Sequence, residues 1–132
     1  MSEAKIQIKN LYKIFGKNPA SAMEHVKSGV GKDELREKHN HVLGLKDINL
    51  DIHAKSVQVV MGLSGSGKST LIRHINRLIE PTDGSVTIDG DEVLKMTEET
   101  LRDFRRSKTA MVFQRFALLP HKTVLQNTIF GL

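Results

Sequence analysis

The sequence predicts an α/β fold, on three observations. A glycine-rich run, Gly62-Leu63-Ser64-Gly65-Ser66-Gly67-Lys68-Ser69-Thr70, lies between a short apolar strand pattern over Val57–Met61 and an amphipathic helix pattern over Lys68–Glu80. A second continuous apolar run, Thr109–Phe113, reads as another strand buried on both faces, as parallel sheets require. Ahead of both, Lys5–Lys9 and Gly44–Ile52 alternate apolar and polar residues with period two, the mark of half-buried strands that pair antiparallel.

The glycine-rich run from Gly62 to Ser69 fits G-x-x-x-x-G-K-[ST], the phosphate-binding pattern, in the strand-then-helix context that pattern needs. Gly62, Gly65 and Gly67 let the backbone curl without a Cβ in the way. The curl turns successive N–H groups inward as an anion nest, and the start of the following helix adds partial positive charge. In such a loop Lys68 reaches the β- and γ-phosphates and the Ser69 hydroxyl ligates Mg²⁺, a hard cation that arrives with the nucleotide. Many reactions share the loop, so it does not fix the chemistry by itself.

Composition narrows the classes. The chain has 132 residues, 39% of them apolar, with three prolines, enough for one domain with a core. Cysteine is absent, which removes disulfides, thiolate zinc sites and a cysteine nucleophile. No run approaches the ~20 apolar residues of a membrane span, and no N-terminal segment resembles a signal peptide. The net charge of +5 is spread among interleaved acids, and aromatics are 5%, too few for base-stacking platforms, so nucleic acid is not an expected partner.

The remaining elements follow in order. Asn10–Gly16 continues the first strand and carries Tyr12 and Phe15 just before Gly16. Either ring there can stack on a flat base or serve as plain core. Asn18–His41 is charged and poor in large apolar residues, and reads as a surface insertion of two short helices. Asn18 caps the first, Pro19 lies in its first turn, and Ala20, Met23, Val26 and Lys27 share a face. His39 and His41 form a His-x-His pair with no second ligand pair at zinc spacing. In the helix after the loop, Leu71, Ile72, Ile75, Leu78 and Ile79 form the core stripe, His74 is structural, and Pro81 ends the helix. Ser85–Asp89 is a strand, Asp89-Gly90 a hairpin turn, and Val93-Leu94 a short return strand. Thr97 caps a helix that turns Leu101 and Phe104 inward. Gln114 stands at the tip of the second buried strand, where α/β sheets gather ligands. Phe116–Pro120 is an apolar loop, and Thr123 opens a last helix.

These residues together resemble the nucleotide-binding subunits of ABC transporters. Phe15-Gly16 is similar to the aromatic loop that stacks adenine, with Tyr12 as second candidate, and Gly62–Thr70 to the Walker A loop. Val112-Phe113-Gln114, then Leu119-Pro120-His121 and Thr123-Val124, resemble the Q-loop and the segment that docks on the transmembrane subunit. The Asn18–His41 insertion and the Gly62-Leu63-Ser64 opening resemble the glycine betaine/proline (quaternary amine) importer branch.

The resemblance implies a P-loop NTPase core, truncated, with an N-terminal antiparallel β subdomain of ABC type and a short helical insertion over 18–41. It implies ATP and Mg²⁺ as cofactors, with Ser69 and Gln114 at the metal. It implies a transmembrane permease partner docking at Phe116–His121, a second nucleotide-binding subunit, and indirectly an extracytoplasmic substrate-binding protein, at the cytoplasmic face of the plasma membrane. The LSGGQ signature, Walker B strand, D-loop and switch histidine of that family are not found in these 132 residues. Ile48–Asp51 and Val86–Asp89 end in Asp but alternate and run into turns, unlike a Walker B strand. The expectation is therefore an N-terminal fragment that binds nucleotide without hydrolysing it, with a parallel-sheet edge left unpaired and its stability marginal. The alternatives are a small soluble P-loop kinase, for which Arg102, Arg105 and Arg106 would be lid arginines, and a non-catalytic interaction module working through 18–41. A GTPase would want N-K-x-D, which is absent.

Overall fold

The computed structural model describes residues 4–113 and 118–130 and divides the chain into two units, Met1–Met96 and Thr97–Leu132. The first unit is built on β1, Ala4–Phe15, which pairs antiparallel with β2, Val42–His53, on one edge and with β3, Asp83–Ile88, on the other. A two-residue β4, Asp91–Glu92, completes the order β2-β1-β3-β4. β3 turns into β4 through Asp89 and Gly90 at φ 51° and 85°, the paired positive values of a type I′ hairpin turn. The expected return strand at Val93-Leu94 is instead a 3₁₀ turn over Val93–Lys95, with Val93 fully buried.

Strict alternation does not run the length of β1. Ile8, Leu11 and Ile14 are all buried although three residues apart. A bulge reconciles them: Asn10 sits at φ 49° and the β1–β2 register shifts between Ile8 and Leu11 and again before Ile14. In β2, Asp47 at φ 48° makes the matching change, so the inward set moves from Leu43 and Leu45 to Ile48, Leu50 and Ile52. The bulged backbone is kept satisfied by one side chain. The Asn10 amide donates to Asn49 Oδ1 (3.0 Å), and Asn49 Nδ2 donates to the Asp47 carbonyl (3.1 Å).

The insertion forms α1, Pro19–Lys27, and α2, Lys32–His39. Asn18 Oδ1 accepts from the Ser21 amide (3.3 Å), the expected cap. Ala22 rather than Ala20 faces inward, with Met23, Val26 and the wholly buried Leu35, and these pack with Ile14 and Leu43 of the sheet. The segment lies on the surface but carries a core of its own. Its histidines are tied into that packing. The His25 and His39 rings stack at 3.9 Å, and His41 Nε2 accepts from the Asn18 amide (3.1 Å).

The helix after the glycine loop, α3, spans only Lys68–Ile75. It ends before Pro81 because Arg77 takes the left-handed conformation, φ 57°, and the Leu78 amide folds back to the Arg73 carbonyl (2.9 Å). Leu71 and His74 are the buried residues of α3, whereas Ile72 and, beyond it, Leu78 are exposed. His74 Nδ1 lies 2.6 Å from the Thr70 carbonyl, a structural bond as expected, and its Nε2 has no partner among the described residues.

Two expected strands do not form. Neither Val57–Met61 nor Thr109–Phe113 enters a sheet, and Val57 and Val112 are 92% and 97% exposed. A parallel strand is held by ladders on its edges and helices on its faces, and no described strand pairs with either segment.

The second unit contains α4, Glu98–Ser107, and α5, Val124–Thr128. Thr97 Oγ1 caps α4 at the Thr100 amide (3.2 Å), and Leu101 and Phe104 are its buried residues. Thr123 and Gln126 form a reciprocal capping box on α5 (3.1 and 2.9 Å). Asn127 latches the preceding loop, accepting from the Leu119 amide (2.8 Å) and donating to its carbonyl (3.2 Å).

The packing of the insertion gives a first prediction. Leu35→Ala should cost about 2–5 kcal/mol in chemical denaturation, as for other buried leucines. Lys38→Ala, on the exposed side of α2, should stay within about 0.5 kcal/mol. Equal, small effects would show that the insertion is merely draped on the sheet.

His74 gives a second. Burial pushes its pKa below the ordinary imidazole range, the Thr70 carbonyl opposes that, and the Lys13 charge adds to the lowering. Between that lowered value and about 6.5 the unfolded chain binds more protons than the folded one, so stability falls as pH drops through this window. The melting temperature should decline from neutral to mildly acidic pH, and His74→Gln should flatten the decline. An unchanged slope in the variant would assign the decline to other groups.

Candidate functional site

The glycine loop leaves β2 behind and bends back onto it. Gly65 and Gly67 take φ 80° and 98°, where a side chain is strained. A Cβ on Gly67 would stand 2.9 Å from the Gly44 carbonyl and 3.1 Å from Leu45 Cδ2, so the loop is seated against β2 with no room for a methyl group. A Cβ on Gly62 would meet the Ser66 side chain, with Oγ at 2.5 Å, a softer limit than the backbone contact at Gly67. The Ser66 amide donates across the curl to the Leu63 carbonyl (3.1 Å).

Helix α3 starts from this curl with Gly67 as N-cap and no side chain capping it. Helix α2, behind Gly31, is likewise uncapped, whereas the first amides of α1, α4 and α5 are bonded by Asn18, Thr97 and Thr123. The first amides of a helix have no intrahelical partner, so those of α3 are left for an outside acceptor, at the end where the helix dipole favours an anion.

The Lys68 ammonium folds back over the loop. It donates to the carbonyls of Gly62 (2.6 Å) and Leu63 (2.8 Å) and to Ser66 Oγ (3.2 Å). A flexible cation held only by neutral oxygens exchanges them readily for phosphate oxygens, whose charge makes the stronger bonds. Ser69 and Thr70 follow in the first turn of α3, half-buried, while Leu63, Ser64, Gly65 and Ser66 are exposed. The nine residues read from sequence as one phosphate site thus form one tight curl, exposed over 62–66 and half-buried over 67–70.

Phe15 closes β1 and is 40% exposed. Lys13 Nζ lies 5.1 Å from its ring centroid, and a Cβ on Gly44 would meet its ring edge at 2.7 Å. Tyr12 packs instead against the Ile14 and Leu35 cluster. Of the two candidate rings, Phe15 is the more exposed, and Gly44 is the residue common to it and the loop. Gly44 looked like an ordinary strand residue in the sequence, because its importance lies in two close approaches that no local pattern encodes.

One further side chain was missed. Lys32, at the start of α2, has Nζ 3.5 Å from the Gly65 carbonyl. Thirty-three positions separate them, so the contact has no signature in the sequence. Gln114, and Phe116 and Ala117 of the expected docking segment, lie outside the described residues. From the rest of that segment, Leu118, Pro120 and His121 are exposed. No group of three or more potential metal-ligating His, Asp or Glu residues occurs among the described residues.

The open amides, the caged ammonium and the glycine curl fit a nucleotide's phosphate chain. Comparison with known proteins agrees. The ABC transporter family description matches residues 45–130. The chain is 54% identical over 128 residues to the glycine betaine/proline betaine transport system ATP-binding protein ProV of Escherichia coli (strain K12), covering 97% of this chain and 32% of that protein. It is 45% identical to the glycine betaine transport ATP-binding protein OpuAA of Bacillus subtilis (strain 168), covering 97% and 31% respectively. Among solved structures, the dimeric post-hydrolysis state of the ATP-binding cassette MJ0796 bound to ADP and Pi superposes with a TM-score of 0.74 at 32% identity, over 96% of this chain and 46% of that one. The chain spans about a third of the length of the curated relatives it matches. With the family description covering most of its length and the cassette fold reproduced in the sheet and loop, the chain belongs to the ABC transporter family.

Proposed function

We propose that the chain is the nucleotide-phosphate-holding portion of the ATP-binding, energy-coupling subunit of an ABC importer for glycine betaine and proline-type osmolytes. One observation carries the reading: the Lys68 ammonium is turned into a loop whose following helix has no side-chain cap. The glycine betaine transport named for its relatives supports the solute class.

In this reading the amides of residues 62–70 cradle the phosphates, Lys68 leaves its two carbonyls for the terminal phosphate, and the Ser69 hydroxyl ligates Mg²⁺. Phe15 offers its partly exposed ring to adenine, and Gln114 touches the metal and senses the terminal phosphate. ATP with Mg²⁺ supplies the phosphoanhydride whose cleavage drives transport in such subunits. Cleavage also needs a residue that orients the attacking water. These 132 residues carry no convincing base for it, so binding is assigned to them and hydrolysis is not.

The partners follow from the same family reading. A permease would dock at Phe116–His121, a second nucleotide-binding subunit would face the first, and a substrate-binding protein would act through the permease. No described helix is long and apolar enough to cross a membrane, so membrane attachment in this reading runs through the permease, on its cytoplasmic side.

Calorimetry with Mg-ATP tests the reading. Lys68→Ala should weaken binding about ten- to a hundredfold, the equivalent of one charge-assisted hydrogen bond of about 1.5–3 kcal/mol. Phosphate release by the unaltered chain should not exceed that of the variant. Equal affinities in the two proteins would remove the phosphate site, and sustained release would remove the restriction to binding.

A further inference from the structure

We propose that Lys32 is a second phosphate-site cation, supplied to the glycine loop by the insertion. The inference rests on the nucleotide-binding reading above and deepens it. Lys32 Nζ stands 3.5 Å from the carbonyl of Gly65, the residue at the open turn of the loop, while Lys68 grips the same loop through Gly62 and Leu63. Two ammonium groups from different parts of the chain therefore converge on one short stretch of backbone.

The position is not one a helix would choose for a cation. Lys32 is the first residue of α2, where the helix dipole disfavours positive charge, and Gly31 provides no side-chain cap. Asp33 and Glu34 in the same turn suit that dipole, yet their ion pairs run to Arg36 and Lys38, away from Lys32. Among the described residues Lys32 forms no ion pair, and its one hydrogen bond is the long one to Gly65. Its backbone is nevertheless well fixed. Leu35, one turn on, is wholly buried in the cluster that joins both insertion helices to β1 and β2, and the His41 amide donates to the Leu35 carbonyl (3.2 Å). An exposed ammonium on a fixed stem, 3.5 Å from a carbonyl of the glycine loop and lacking a carboxylate, is within reach of a phosphate chain held by that loop.

The contribution is electrostatic and solvent-exposed, so it should be modest, sensitive to salt and larger for the more highly charged nucleotide. Calorimetric titration of the whole chain with Mg-ATP and Mg-ADP, at low and high salt, tests it. Lys32→Ala should weaken Mg-ATP binding about three- to tenfold at low salt, Mg-ADP binding less, and should converge with the unaltered chain at high salt. Lys32→Glu should bind more weakly than Lys32→Ala, and Lys32→Arg should remain within about twofold. Matching melting temperatures across the set would exclude loss of fold as the cause. If the unaltered chain binds nucleotide and Lys32→Ala binds equally well at low salt, this proposal is overturned and the nucleotide reading stands. If the unaltered chain gives no heat with either nucleotide, the nucleotide reading fails and this proposal falls with it.

Discussion

The absence of a side chain at Gly44 is the constraint on which the candidate site depends. Its would-be Cβ lies 2.7 Å from the Phe15 ring, and its carbonyl lies 2.9 Å from where a Cβ would stand on Gly67. The adenine candidate and the phosphate loop thus meet at one β2 residue, one through its Cβ position and the other through its carbonyl. The antiparallel ladder makes this possible, since Phe15 pairs with Val42 and Ile14 with Leu43, which brings the end of β1 alongside Gly44. A methyl group there would push the ring away without breaking a hydrogen bond. The site's geometry is set by vacant volume as much as by contacts.

The opposite end of α3 is fixed by charge and backbone bonds. Arg77 is in the left-handed region, and its guanidinium donates to the Met96 carbonyl (2.8 Å) and to Glu80 Oε1 (2.8 and 3.1 Å). The chain then stitches itself to β1. The Thr82 amide donates to the Tyr12 carbonyl (2.8 Å), the Ile14 amide to Thr82 Oγ1 (2.9 Å), and Lys13 Nζ to the Glu80 carbonyl (2.8 Å). Because α3 is held at Gly67 by contact and beyond Ile75 by these bonds, the amides at its start have a defined direction. Preorganised donors of this kind bind an anion without reordering the backbone.

Signals that act over a few residues were legible in the sequence. The caps at Asn18, Thr97 and Thr123, the Asp89-Gly90 turn, the paired strands and the glycine loop are all formed. Less legible were features decided by contacts between distant residues. The α3 helix stops five residues before the expected Glu80 because Arg77 finds its partners at Met96 and Glu80 in a left-handed turn. Ala22 replaces Ala20 on the buried face of α1 because the helix phase is set by Ile14 and Leu43 across the sheet. Gly44 and Lys32 carry no motif at all, and only the fold shows that they lie against the loop.

The same distinction explains why one sheet forms and the other does not. Strand β1 has neighbours on both edges within the first unit, and its apolar residues meet those of β2, β3 and the insertion. Val57–Met61 has apolar residues on both sides and no ladder to any described strand, and Val57, Val59 and Met61 are exposed. Composition alone cannot bury such a run, because a doubly covered strand gains its stability from remote strands and helices rather than from its own pattern. The unpaired run is uncharged and free of proline, the kind of segment that pairs with other chains when left open. The loop that follows it keeps its curl all the same, because Gly67 leans on β2 and Lys68 binds Gly62 and Leu63, contacts that do not pass through the missing ladder. The glycine loop is therefore anchored to the antiparallel sheet, and its curl does not depend on Val57–Met61 entering a sheet.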